Sequence, residues 1–293
     1  MYKKLIVLAL APLLLWACQA QKVINAITPT RGYELASNLV YDADTGNKLD
    51  VYQPEGLRKA PVVLFFYGGR WQEGDKELYR FVGQALAARG YVAVLPNYRL
   101  FPEVEFPAFV EDGAAAVQWV RQQVQHYSGD PQKIFVMGHS AGAHIAALLA
   151  LDGQYLSRRG LPANTISGMI GLAGPYDFLP ITAPDLKRVF APAQPPEISQ
   201  PVNFVRRDAP PLLLLHGEDD QTVEVANTVA LRDATVRAGG AVETVLYPKL
   251  NHSRIVGSLA VRLEALADVL DQIDQFVRKH SGLPPLPVAA EAK

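Results

Sequence analysis

"VMGHSAGAH", Val136–His144, sets Ser140 between Gly138 and Gly142, where the apolar run Ile134–Met137 ends and the helix-forming AHIAALLAL begins. An apolar run of strand length followed at once by helix formers reads as a strand-to-helix junction. Glycine costs backbone entropy on folding, so its use on both sides of one serine points to a turn that ordinary side chains would obstruct. Such a turn would raise a hydroxyl above the end of a strand.

Outward from this junction the same alternation repeats. Strand patterns are expected at 48–54, 61–69, 91–99, 133–138, 166–174, 211–217 and 242–248. Between them fall helical patterns at 75–90, 109–127, 141–151 and 222–240, and a long one at 258–280 closes the series. Continuous apolar strands separated by amphipathic helices are what a parallel sheet covered on both faces requires. The expected fold is α/β: a doubly wound, mostly parallel sheet. In such sheets functional groups gather beyond the carboxyl ends of the strands. Those ends lead here into Ser140, into Glu218-Asp219-Asp220 and into Asn251-His252, so a hydroxyl, a carboxylate and an imidazole can meet in space.

The chain has 293 residues, 49% of them hydrophobic, enough for one large core. With Lys+Arg 28 against Asp+Glu 29, the formal charge of -1 gives no electrostatic basis for a nucleic-acid partner or an anionic membrane surface. The start, MYKKLIVLALAPLLLWACQA, joins Lys3 and Lys4 to an apolar run, Leu5–Trp16, too short for a comfortable bilayer span, so residues 1–17 read as an export signal. Leu15-Trp16-Ala17-Cys18 resembles the lipobox of bacterial lipoproteins, which implies lipidation of Cys18 and a membrane partner through that anchor. Gln19 after the cysteine resembles outer-membrane sorting, so the expected location is the cell envelope, facing the periplasm or outside. An ordinary signal peptide cut after Ala20 is the other reading. Cys18 is the only cysteine, which excludes an intramolecular disulfide. Residues 18–36 are expected as a tether, 37–280 as the domain, 178–210 as a small proline-rich cap, and 281–293 as a disordered tail.

Gly138-His139-Ser140-Ala141-Gly142 fits the G-x-S-x-G nucleophile elbow. With LDVYQP, FFYGGRWQEGDK, NYRLFPEVEFPAFVED, GLAGPYDF, PPLLLLHGEDDQTV and NHS in the same order, the chain resembles the α/β-hydrolases of the bacterial carboxylesterase branch, related to hormone-sensitive-lipase-like and feruloyl-esterase-like enzymes. The resemblance runs from about Lys48 to His280. It implies a serine hydrolase acting on small-molecule carboxylic esters of short to medium or aromatic acyl groups, with no metal and no cofactor.

The family pattern H-G-x-x-D-x-x-V falls on His216, Gly217, Asp220 and Val223, which implies Asp220 as the acid, with Asp177 as an outside candidate. Of the six histidines, His126, His139, His144, His216 and His280 fall at a helix end, the elbow's variable position, a helix, a position ahead of the acid and the tail border. His252 remains as the base, in the order Ser, Asp, His that this fold uses. FYGGRW, Phe66–Trp71, stands where the family carries H-G-G-G-W, so the resemblance assigns the oxyanion hole to the amides of Gly68, Gly69 and Ala141. Tyr67 replaces the family's His as a loop anchor, and Arg70, with Trp71, is expected to shape the substrate side. Three alternatives use the same fold: an amidase or formamidase, a thioesterase, and a non-catalytic envelope lipoprotein that keeps the fold for binding.

Overall fold

A computed structural model of the chain describes residues 21–284. Within them eight strands form one sheet: β1 (Tyr33–Val40), β2 (Lys48–Pro54), β3 (Ala60–Phe66), β4 (Val92–Pro96), β5 (Gly129–His139), β6 (Ile166–Leu172), β7 (Leu212–Gly217) and β8 (Val242–Tyr247). Their spatial order is β1-β2-β4-β3-β5-β6-β7-β8. β2 pairs antiparallel with both β1 and β4, and the remaining neighbours are parallel. The expected doubly wound, mostly parallel sheet is therefore present.

Burial explains why the inner strands carry unbroken apolar runs. Every residue of β3, β4 and β7 is buried, as helices on both faces demand. A helical stretch over residues 21–27 (α1) precedes the sheet. The helices that follow are α2 (Arg80–Ala88), α3 (Ala108–Gln123), α4 (Ala141–Leu151), α5 (Gly153–Ser157), α6 (Pro184–Val189), α7 (Ala226–Arg237), α8 (His252–Gly257) and α9 (Val269–Ser281). All residues of α4 are buried, which suits the helix that carries the elbow through the middle of the molecule. α9 is tied to the sheet by polar contacts as well as packing. The Tyr91 hydroxyl, just before β4, donates to Asp274 Oδ1 at 2.5 Å, while within α9 Arg278 Nε donates to the other oxygen, Asp274 Oδ2, at 2.8 Å.

Two boundaries differ from the expectation. The domain does not wait until residue 37: β1 begins at Tyr33, and α1 is docked on the start of α2. Asn25 Nδ2 donates to the Glu77 carbonyl at 2.7 Å, and Asn25 Oδ1 accepts from the Phe81 amide at 3.2 Å. β1 is an edge strand with most residues solvent-facing, so it has no apolar period to read. The long helix expected over 258–280 is broken, with α8 ending at Gly257, a 3₁₀ turn at Glu264–Leu266 and α9 beginning only at Val269. Leu259 is fully buried while Val261 and Leu266 face solvent, so tertiary packing overrides the local helix propensity of this stretch. The cap region 178–210 contains α6 and two 3₁₀ turns. The export signal, Cys18 and most of the tail lie outside the described residues. Among the described residues no helix is long and apolar enough to cross a membrane.

Candidate active site

β5 ends at His139, and α4 starts at Ala141, leaving Ser140 alone to reverse the chain. It does so at φ 53° and ψ −122°, a left-handed backbone that L-residues adopt only under constraint. The constraint is close packing. A Cβ on Gly138 would lie 2.2 Å from the Gly142 carbonyl carbon, and one on Gly142 would lie 2.0 Å from the Phe66 oxygen. Both glycines are thus required by contact, in keeping with the paired glycines around the serine. The Ser140 amide donates to Leu172 of β6 at 2.9 Å, and its carbonyl accepts from Ala143 at 2.9 Å and His144 at 3.2 Å.

Asp220 follows β7 and His252 opens α8. His252 Nδ1 donates to Asp220 Oδ2 at 2.7 Å, which leaves Nε2 as the lone-pair side of a neutral ring. The ring of His252 lies 4.7 Å, centroid to centroid, from that of His139, the residue next to Ser140. Asp220 is held from every side. Its Oδ1 accepts from the amides of Thr222 at 2.8 Å and Val223 at 3.0 Å. Its Oδ2 also lies 3.2 Å from His216 Nε2. His216 is fully buried, and its Nε2–H tautomer fits all its partners, since the Val223 carbonyl and the carboxylate can only accept while the Thr228 hydroxyl can donate to Nδ1. Burial pushes the Asp220 carboxyl up, but hydrogen bonds from His216 and His252 outweigh it and hold the group well below the ordinary carboxylate range.

The loop after β3 closes over the elbow. Tyr98 Oη donates to the Tyr67 carbonyl at 2.7 Å, and the Tyr67 and Tyr98 rings stack at 4.5 Å. The Phe101 amide donates to the Trp71 carbonyl at 2.8 Å. No acceptor among the described residues takes the amide of Gly68, Gly69 or Ala141, and of these Gly68 packs against the Ser140 Cβ while Ala141 follows the serine directly. A cavity of about 380 Å³ adjoins Ser140 and Ala141, walled by Trp71, Phe178, Leu179, Ile181 and Leu186. Arg70 also lines it, but its charge is engaged: Nε and Nη2 donate to Asp185 Oδ2 of α6 at 3.1 and 2.6 Å, and Gln72 Nε2 adds a third bond at 3.0 Å. Trp71 is buried against Phe190 at 4.8 Å and Phe178 at 6.1 Å. Arg70 and Trp71 therefore clamp the cap segment onto the loop after β3.

Asp177 faces this cavity but has no bond to His252, and Asp219 is exposed, so Asp220 is the carboxylate that the fold brings to the imidazole. Three partners were not legible in the sequence. His216 reads there as a mere neighbour of the acid. Asp185 lies in the featureless cap, and Asn227, whose Oδ1 takes the amides of Tyr176 and Asp177 at 2.9 Å each, sits inside a helix pattern. Among the described residues no group of His, Cys, Asp and Glu could hold a metal ion.

Residues 49–235 match the BD-FAE family model. Among known proteins, the esterase LipC of Mycobacterium tuberculosis is 31% identical over 215 residues, 67% of this chain and 53% of that protein. A probable isoprenylcysteine alpha-carbonyl methylesterase of Oryza sativa subsp. japonica is 27% identical over 281 residues, covering 87% of this chain and 68% of the relative. The chain spans only about half to two thirds of the length of the curated relatives it matches. Thermogutta terrifontis esterase 2, solved phosphonylated by sarin, superposes with a TM-score of 0.74 at 25% identity over 88% of this chain and 98% of that one.

Two buried histidines are expected to make the fold acid-sensitive. Burial, then the nearness of His252, pushes His139 down to about 3, and burial pushes His144 down to about 4. Unfolding exposes both to take up protons near the ordinary value of about 6.5, so their neutral-state stability is complete above that pH and falls as the pH drops toward 4. Unfolding free energies from urea titrations between about pH 7 and pH 4 are expected to decline by up to about 1.4 kcal/mol per pH unit per histidine, and His144→Gln is expected to remove one share of the slope.

Proposed function

The chain belongs to the BD-FAE family, and on that premise we propose that it hydrolyses carboxylic esters through an acyl-enzyme on Ser140. The observation that carries this reading is the 2.7 Å bond from His252 Nδ1 to a buried, ionised Asp220, set beside the nucleophile elbow. Asp220 keeps the His252 proton on Nδ1 and stabilises the imidazolium that forms when Nε2 takes the Ser140 proton. Ser140 Oγ then attacks the ester carbonyl, and its carbon becomes tetrahedral with the charge on oxygen. The open amides of Gly68, Gly69 and Ala141 receive that oxygen, each donor contributing about 10²–10³ in rate. His252 returns the proton to the leaving alcohol. A water activated by the same imidazole cleaves the acyl-enzyme and restores Ser140.

The cavity size and its apolar walls support small esters with a short to medium acyl or aromatic group, because about 300 Å³ and more suits a compact ligand. Hydrolysis of p-nitrophenyl butyrate by the purified protein is expected to fall at least about 10³-fold in Ser140→Ala, and a fluorophosphonate probe is expected to label the wild type alone. Equal turnover by both proteins, or labelling at another residue, would refute the assignment.

We further propose that the mature protein starts at a lipidated Cys18 and is held at the cell envelope, a reading supported by the basic start, the apolar run and Leu15-Trp16-Ala17-Cys18. Cells fed an alkynyl fatty acid are expected to label the wild-type chain and not Cys18→Ser; equal labelling, or none, would contradict it.

A further inference from the structure

His139 fills the variable position of the elbow, where the motif itself asks for no particular side chain. Here the side chain is 5% exposed, and it touches both halves of the machinery around Ser140. Its Nε2–H donates to the backbone carbonyl of His252 at 2.9 Å. That carbonyl can only accept, so the proton sits on Nε2 and Nδ1 carries a lone pair. Nδ1 is buried and has no hydrogen-bond partner. It faces Gly68 so closely that a Cβ there would lie 2.9 Å from Nδ1 and 3.0 Å from Ser140 Cβ.

An imidazole buried with one nitrogen unsatisfied costs more than an apolar side chain of the same shape, so burial alone does not account for it. Fixing the His252 backbone does. Asp220 orients the His252 ring through Nδ1, but a ring bonded at one atom still follows any shift of its own backbone. The bond from His139 joins that backbone to the last residue of β5, one position from the nucleophile. We propose that His139 is a positioning residue, which holds His252 at a fixed height over Ser140 through Nε2–H and supports Gly68 of the oxyanion loop with the other edge of its ring. The role rests on the hydrolase reading above. It also requires a neutral ring, because a cation 4.7 Å from His252 would oppose the imidazolium that catalysis forms there. Burial and His252 itself keep His139 neutral, and against them act only its bond to the His252 carbonyl and the more distant Asp220.

The test compares His139→Phe, which keeps a ring and loses the donor, with His139→Gln, which restores an N–H at similar reach. With thermal melting as the folding control, His139→Phe is expected to lower kcat by about tenfold or more with KM within about twofold, since small misplacements of a catalytic group act on the transition state. His139→Gln is expected to recover most of that loss. A folded His139→Phe with wild-type kcat, or a loss that Gln fails to rescue, would overturn the proposal. Should the Phe variant not fold, ¹⁵N NMR of the wild-type histidines decides. The neutral Nε2–H tautomer, unchanged between about pH 5 and pH 9, supports the role, and an Nδ1–H tautomer or a titration in that range overturns it. An inert wild type would instead refute the hydrolase reading itself.

Discussion

Ser140 is held in a left-handed backbone by the absence of two methyl groups, one at Gly138 and one at Gly142, and the rest of the site is built around that constraint. A strained residue of this kind costs on the order of 1–3 kcal/mol and persists only where its surroundings leave no alternative. The surroundings here are buried on every side. β5 lies between β3 and β6, and α4 leaves the elbow with every residue buried. The sheet therefore holds the hydroxyl at a fixed point, and the loops after β3, β7 and β8 need only reach that point.

Electrostatics completes what packing starts. Asp220 is a buried carboxylate, and a buried carboxylate without donors would take up a proton and cease to orient its histidine. Two backbone amides, His216 and His252 supply the donors, so the charge survives burial. The cap is held on different terms. Arg70 and Gln72 converge on Asp185, a partly exposed pair whose attraction is weakened by solvent, while Trp71 supplies the apolar contact with Phe178 and Phe190. One loop thus packs on the elbow on one side and grips the cap on the other.

What the chain reveals by its residues alone depends on which physics each feature uses. The buried strands are legible because an unbroken apolar run needs cover on both faces, and the elbow is legible because glycines on both sides of a serine mark a turn too tight for side chains. Asp220 and His252 are legible because both follow strands at the same sheet end, although choosing Asp220 over Asp219 needs the family pattern. β1 is not, because an edge strand open to solvent shows no apolar period, and the break between α8 and α9 is not, because Val261 and Leu266 look like core residues in the chain and are exposed in the fold. The roles of His139, His216 and Asp185 are hidden for a shared reason: each acts through a partner brought to it by the fold, and the local pattern around it carries no trace of that partner.

The proposed mechanism requires one hydroxyl, one imidazole and three open amides to converge on a single reacting carbon. A crystal structure of the protein after reaction with an organophosphonate ester tests it most directly, because the adduct copies the tetrahedral intermediate. The account predicts phosphorus bonded to Ser140 Oγ, its oxygen about 3 Å from the amides of Gly68, Gly69 and Ala141, and His252 Nε2 facing the modified side chain. An adduct on another residue, or a phosphoryl oxygen turned away from those amides, would contradict it.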